Sequence, residues 1–154
     1  MKKFLLTAIA AFLVAGAVSA QERGRWALGP QVGLYTNTGS DAVFGFGAVS
    51  RYAFTDHWRI QPALTFLCKK DCSIDISGDM QYLFHVARFW ALYPQAGLSV
   101  NDLGDWSLGV DLGVGTDFTV TRRWDVSAGF KWMIQTRDNR SNPIIVNIGA
   151  TYKF

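Results

Sequence analysis

Charge is scarce in this chain. Lys, Arg, Asp and Glu make up 18% of its 154 residues, where soluble domains carry about 25%. Hydrophobic residues reach 49% and aromatics 14%, a composition that excludes a disordered chain. Long apolar runs are also missing. Beyond residue 20 none approaches the ~20 residues of a membrane helix, so a multi-span helical membrane protein is excluded. Histidine is limited to His57 and His85, and cysteine to Cys68 and Cys72. Two cysteines without a nearby histidine pair do not make a zinc site. Arginine forms no stripe that would track a nucleic acid backbone. The 15 glycines are spread through alternating segments and build no phosphate-binding loop. These absences predict no metal, no cofactor, no catalytic residue and no nucleic-acid partner.

What is present begins with an address. Met1-Lys2-Lys3 is a short basic stretch, residues 4–18 are apolar, and Val18-Ser19-Ala20 offers small residues before Gln21. This is the pattern of a secretory signal peptide over residues 1–20, leaving one domain over 21–154. A membrane anchor is the rival reading, but the apolar stretch is short and no polar stop follows it. Losing Lys2 and Lys3 leaves 13 cationic residues against 12 acidic ones, a mature net charge of +1. The basic character of the full chain therefore carries no message about partners.

The mature sequence alternates with period two, the signature of strands whose successive side chains point to opposite faces. Eight segments do so, at 25–36, 43–54, 58–68, 80–90, 92–100, 106–118, 124–135 and 144–154. The sixth is the clearest: Trp106, Leu108, Val110, Leu112, Val114 and Phe118 alternate with Ser107, Gly109, Asp111, Gly113, Gly115 and Asp117. Together the segments cover roughly two thirds of the mature chain, against 20–25% strand in an ordinary domain. Such a share suits a barrel made only of strands and turns. The strands also have the ~9–11 residues needed to cross a bilayer at a tilt.

One face of each segment is bulky and apolar, the other small, polar or charged. An eight-stranded interior is only just wide enough for side chains, so the small and polar set belongs inside and the bulky set faces lipid. Closing the sheet satisfies the backbone where no water is available. Connections at 55–57, around Ala91 and at 119–123 are short. Those at 37–42, 69–79, 101–105 and 136–143 are polar and mostly longer. That asymmetry predicts periplasmic turns on one side and extracellular loops on the other. Aromatics gather into two belts. Trp26, Phe54, Trp58, Trp90, Tyr93, Phe118, Trp124 and Tyr152 fall at the short-turn side. Tyr35, Phe44, Phe66, Tyr82, Trp106 and Trp132 fall toward the loops. Interfacial girdles of this kind mark membrane barrels.

Ile148-Gly149-Ala150-Thr151-Tyr152-Lys153-Phe154 resembles the C-terminal signal of bacterial outer-membrane barrels, with alternating apolar residues and a final Phe. Residues 82–90 and Tyr93-Pro94-Gln95-Ala96-Gly97 are similar to segments of the small outer-membrane β-barrel domain family. That porin family is related in architecture to the OmpA-OmpX type. The resemblance implies an all-β, eight-stranded antiparallel up-and-down transmembrane barrel. It also implies that the barrel-assembly machinery reads Ile148, Tyr152 and Phe154. Some barrels of this size are lipid A acylases or deacylases with a His beside a Ser at the outer rim. Neither histidine falls there, so the chain is not expected to be an enzyme.

Inward positions carry Arg51, Arg59, His85, Asp111, Asp117, Asp125, Lys131 and Lys153. Buried charges must be paired, so these residues predict a salt-bridge plug in the lumen. If Phe118 opposes Trp124 across their turn, Asp111 opposes Lys131. Asp117 then opposes Asp125, with Arg122 and Arg123 near enough to offset them. A register shifted by two would instead give Lys131 a diagonal partner. His57 lies in a turn, and Arg88 falls on the lipid face beside another. Cys68 and Cys72, flanking Lys69-Lys70-Asp71, are expected to form a disulfide after export. Three functions remain open: a plugged monomeric barrel in outer-membrane lipid with a structural or surface-interaction role through four loops, a small porin-like channel, and a secreted soluble binding barrel. No loop carries a readable motif for an external ligand.

Overall fold

The computed structural model of the protein describes residues 24–37, 42–55, 57–68, 72–102, 106–136 and 142–154. The expected signal peptide and the tips of all four longer connections lie outside these residues. Every regular element among them is a strand: β1 (Arg25–Thr36), β2 (Val43–Ala53), β3 (Trp58–Cys68), β4 (Ser73–Tyr82), β5 (Phe84–Ala87), β6 (Trp90–Asn101), β7 (Ser107–Thr119), β8 (Trp124–Gln135) and β9 (Ile144–Lys153). Apart from β4 and β5, which do not pair with each other, sequence neighbours pair antiparallel, and β1 pairs with β9. β4 and β5 are two halves of one barrel stave, because both pair with β6. The result is a closed, eight-stranded up-and-down barrel. Closure removes the free edges that an open sheet would expose.

The fourth stave departs from the sequence expectation. Its strand starts at Ser73, and the preceding connection shrinks to residues 69–72. Ser73, Asp75, Ser77, Asp79 and Gln81 point inward and are buried, while Ile74, Ile76 and Met80 take the outer face. This run has period two, but its polar half resembles a loop. The stave breaks at Leu83, whose N–H leaves the ladder and donates to the His57 carbonyl at 2.7 Å. The following turn is at Arg88-Phe89, and β6 already begins at Trp90, so the connection is not centred on Ala91.

Prolines inside the strands sit beside gaps in the ladder. The β1–β9 pairing skips Gly29 and Pro30, the β2–β3 pairing skips Gln61 and Pro62, and the β4–β6 pairing ends one residue before Pro94. A proline has no N–H to donate, so it belongs where the ladder is already interrupted.

The barrel is inside out compared with a water-soluble fold. Leu98, Leu112, Val114, Phe130, Trp132 and Ile148 are exposed on its outer wall. The buried set is dominated by Gln, Ser, Thr, Asn, Asp, Arg and Lys. Around the short-turn end the aromatics pack into a broken ring. Trp26 stands 4.7 Å from Tyr52 and Tyr52 is 4.9 Å from Phe54; Trp58 is 5.0 Å from Tyr82. Trp124–Tyr152 and Tyr152–Phe154 each lie at 5.3 Å. Tyr82 thus belongs to this end and not to the loop side, because its strand starts earlier than the pattern suggests. Two other aromatics leave the belts altogether: Tyr35 and Tyr93 are inside the lumen, 2% and 3% exposed.

Candidate functional site: the layered lumen

Three layers fill the lumen from the loop end to the short-turn end. The outermost is apolar. Tyr35, Val43, Leu67, Met133 and Ile145, from β1, β2, β3, β8 and β9, form one buried cluster just inside the loop rim. Alternation puts these positions inward, whereas their bulk assigns them outward on composition alone, so no inner apolar cluster is expected from the sequence. Asn37, with φ of 59° at the end of β1, donates to the Asn142 carbonyl at 3.0 Å and ties two of the loops together at this rim.

Beneath the cap lies an acidic layer around one lysine. Lys131 Nζ contacts Asp79 Oδ2 at 2.6 Å, Ser77 Oγ at 3.3 Å and Asp111 Oδ2 at 3.4 Å. Ser99 donates to Asp111 Oδ1 at 2.9 Å, and the Tyr35 hydroxyl donates to Asp75 Oδ2 at 2.7 Å. Lys131 faces Gly113 and not Asp111, because the β7–β8 register is shifted by two from the expected one. The turn explains the shift: Val120, not Phe118, opposes Trp124, with the Val120 N–H donating to the Trp124 carbonyl at 3.0 Å. Asp111 is therefore the diagonal partner, and Asp79 from β4 across the lumen is the shorter one. Asp75 and Asp79 lie in residues 69–79, whose polar composition reads as a loop in the sequence, so neither is expected in the lumen.

The innermost layer is basic. Arg59 Nη1 meets Asp117 Oδ2 at 2.7 Å, and Arg51 Nη1 stands 3.3 Å from Asp117 Oδ1. Arg51 Nε donates to Gln61 at 2.7 Å, Arg59 Nε donates to Gln81 at 2.6 Å, and Gln81 donates to Gln95 at 2.8 Å. The Arg59 guanidinium also lies over the Tyr93 ring at 5.0 Å. Asp125 pairs with Lys153 at 2.7 Å. The acids here thus draw on β2, β3 and β9. Arg122 and Arg123 are exposed in the turn, and Asp117 opposes Ser127, not Asp125.

Other expected sites are relocated. His85 is exposed on β5 at the short-turn end, with its ring 5.8 Å from that of His57, and takes no part in the buried network. The early start of β4 moves it from mid-strand to the rim. Arg88 sits in the turn at the same rim and lines the mouth of the lumen. Cys68 and Cys72, expected to pair, are not bonded to each other in this structure. Both are exposed free thiols, one register step beyond the last β3–β4 pair, Leu67 with Ser73. Ile148 and Phe154 are exposed on the outer wall, 54% and 66%, and Tyr152 packs between Trp124 and Phe154. Among the described residues no group of His, Cys, Asp and Glu is arranged to hold a metal ion.

An apolar outside, a charged inside and a closed wall are the properties of a barrel that crosses a lipid layer. The family model described as "Outer membrane protein beta-barrel domain" matches residues 4–154. The chain belongs to that family. Its members' setting, the bacterial outer membrane, is the setting of this barrel. Solved structures show the same fold. The N-terminal β-barrel domain of Pseudomonas aeruginosa OprF aligns at a TM-score of 0.71 with 13% identity, covering 86% of this chain and 98% of that one. Neisserial surface protein A aligns at 0.64 with 17% identity, covering 86% and 96%. The attachment invasion locus protein Ail of Yersinia pestis aligns at 0.60 with 15% identity, covering 87% and 100%. No curated protein matches the sequence.

Proposed function

We propose that this outer-membrane barrel is a monomeric, non-enzymatic wall protein with a sealed lumen, acting as a structural and surface-interaction element through its four loops. The observation that carries this reading is the filling of the lumen. Asp111 and Asp79 are fully buried, and Lys131, Arg51 and Arg59 are at most 7% exposed. Two ion-paired layers lie in series with the apolar cap of Tyr35, Val43, Leu67, Met133 and Ile145. Eight staves leave little room for water once such side chains are in place. The longer connections face outward from the cell and the short turns face the periplasm. On this reading a signal peptide over residues 1–20 delivers the chain. The barrel-assembly machinery then receives the strand ending in Ile148, Tyr152 and Phe154. Ail is an attachment invasion locus protein and the Neisserial barrel a surface protein, which supports a surface role for a barrel of this shape.

A porin-like channel is the second reading, favoured by a water-accessible cavity at the short-turn mouth. Planar-bilayer recordings separate the two. The sealed barrel gives no stable ohmic steps, and reproducible steps from the purified wild-type protein would overturn it in favour of the channel.

A further inference from the structure

The short-turn mouth of the lumen holds a cavity of about 170 Å³. A water molecule needs only ~10–15 Å³ of such space, so the cavity has room for a small polyatomic ion with its water. Five cations line it, Arg25, Arg51, Arg59, Arg88 and Lys153, against two carboxylates, Asp117 and Asp125, leaving an excess of three positive charges. Each carboxylate already has an ion-pair partner, although Asp117 Oδ1 and Asp125 Oδ1 accept no hydrogen bond. Asp117 is shared by Arg51 and Arg59, and Asp125 takes Lys153. Arg25 and Arg88 are exposed at the rim and make no ion pair among the described residues.

A second observation concerns Arg59 itself. It is 7% exposed, lines the cavity, and its Nη2 has no hydrogen-bond partner. Buried donors in native proteins are nearly always satisfied. The other guanidinium nitrogens are used, Nε on Gln81 and Nη1 on Asp117, so one donor of the fork is left over. An arginine fork suits an oxyanion, which accepts its charge-assisted hydrogen bonds in fixed geometry. Cations around a narrow, low-dielectric mouth also concentrate anions there.

We propose that this mouth is an oxyanion-binding vestibule for a phosphate-class ligand, with Arg59 at its floor and Arg25 and Arg88 at its rim. The surplus charge favours free phosphate, which carries about −1.5 to −2 at neutral pH, over a single carboxylate; a phospholipid's phosphodiester carries one charge and is held through its oxygens in the guanidinium fork. The vestibule is blind, because the Gln61, Gln81 and Gln95 layer and the Lys131 layer fill the lumen beyond it. It therefore binds an anion and does not pass one. The anion is either free phosphate or the headgroup of a phospholipid bordering the rim.

The test uses the folded full-length mature barrel, labelled with 15N-arginine, in a maltoside detergent. Inorganic phosphate is titrated at constant ionic strength while the Arg59 Nε–Hε signal is followed. A saturable shift is expected. The double variant R25Q/R88Q should weaken apparent affinity by about tenfold, the scale of losing hydrogen bonds to a charged group, while remaining folded. R122Q, exposed at the same end but outside the cavity, should leave affinity unchanged. In phosphate-free nanodiscs, a shift with phosphatidylglycerol but not with a glycolipid bilayer assigns the site to a headgroup. A shift only with added phosphate assigns it to the free ion. An Arg59 signal unmoved in both settings overturns the proposal. So does an R122Q effect equal to that of R25Q/R88Q, which would mean diffuse screening and no site.

Discussion

Lys131 is the residue on which the buried network turns. Among the described residues its ammonium is the one cation within reach of both Asp79 and Asp111, at 2.6 and 3.4 Å, and all three are at most 3% exposed. Lys131→Met removes the cation and leaves two buried carboxylates facing each other. The expected cost is about 3–5 kcal/mol, the price of an unpaired buried charge. Asp79→Asn alone is costly too, while the double change should cost clearly less than the sum of the singles. Urea unfolding in lipid vesicles measures all four proteins, and strict additivity would refute the pairing. Gly113, opposite Lys131, is a second decisive residue. Alternation alone suggests that Gly113→Ala is mild, since an alanine fits most inward positions. The structure overturns this, because a Cβ there would overlap the Phe130 carbonyl. Overpacking of this kind costs roughly 1–3 kcal/mol. An unchanged unfolding midpoint for Gly113→Ala would show that β8 can move away at no cost.

At the level of the strand, the facing of β7 can be tested directly. Leu112 lies mid-strand on the outer wall, 45% exposed, whereas Val120 is at the turn and 65% exposed. Leu112→Arg should cost roughly 2–4 kcal/mol in a bilayer and Val120→Arg about 0–1. Equal costs would mean that Leu112 does not face the bilayer midplane. The C-terminal strand carries a different expectation. β9 closes the barrel between β1 and β8, and the Phe154 N–H donates to the Trp26 carbonyl at 2.9 Å. Deleting Phe154 should reduce the amount of inserted, heat-modifiable barrel in cells far more than it lowers the stability of the fraction that folds. Normal yield would remove the assembly role. How much of this was legible follows from what each strand must satisfy. A lipid-facing side and a lumen-facing side impose opposite chemistry at period two, so seven staves announce themselves. β4 does not, because Asp75, Ser77 and Asp79 use polar residues at the positions where β7 uses Asp111 and glycines. Register was less legible than strand position. A hairpin turn shortened by two residues keeps every side chain on its face, so alternation cannot distinguish Asp111 opposite Lys131 from Asp111 opposite Met133. The partners of Asp117 were hidden for another reason: Arg51 and Arg59 reach it from staves far away in sequence.

On the proposed reading, the whole molecule is a tube closed by seals in series. The apolar cap near the loop rim excludes water because it offers ions no hydrogen bonds. The Lys131 layer below excludes water by filling the cross-section with paired side chains. The Arg59 layer lies deeper still, with the open mouth beyond it. Ion flow through barriers in series is limited by the tightest one, so removing any single seal should leave the tube closed. Met133→Ala opens the cap, whose Met133 side chain is fully buried and accepts a hydrogen bond from Asn101 at 3.1 Å. Asp79→Ala and Asp111→Asn together with Lys131→Ala remove the middle layer's lysine and both carboxylates it pairs with. Neither variant should conduct by itself. Combining them with Arg59→Ala and Asp117→Ala should leave a continuous water path and give ohmic steps in planar bilayers. The wild type and the partial variants should remain silent under the same conditions. Conductance from Met133→Ala alone would mean that the charged layers do not seal, and that the cap is the gate of a channel. Silence from the full combination, in protein shown to be inserted by its heat-modified mobility, would mean that the loops close the tube as well.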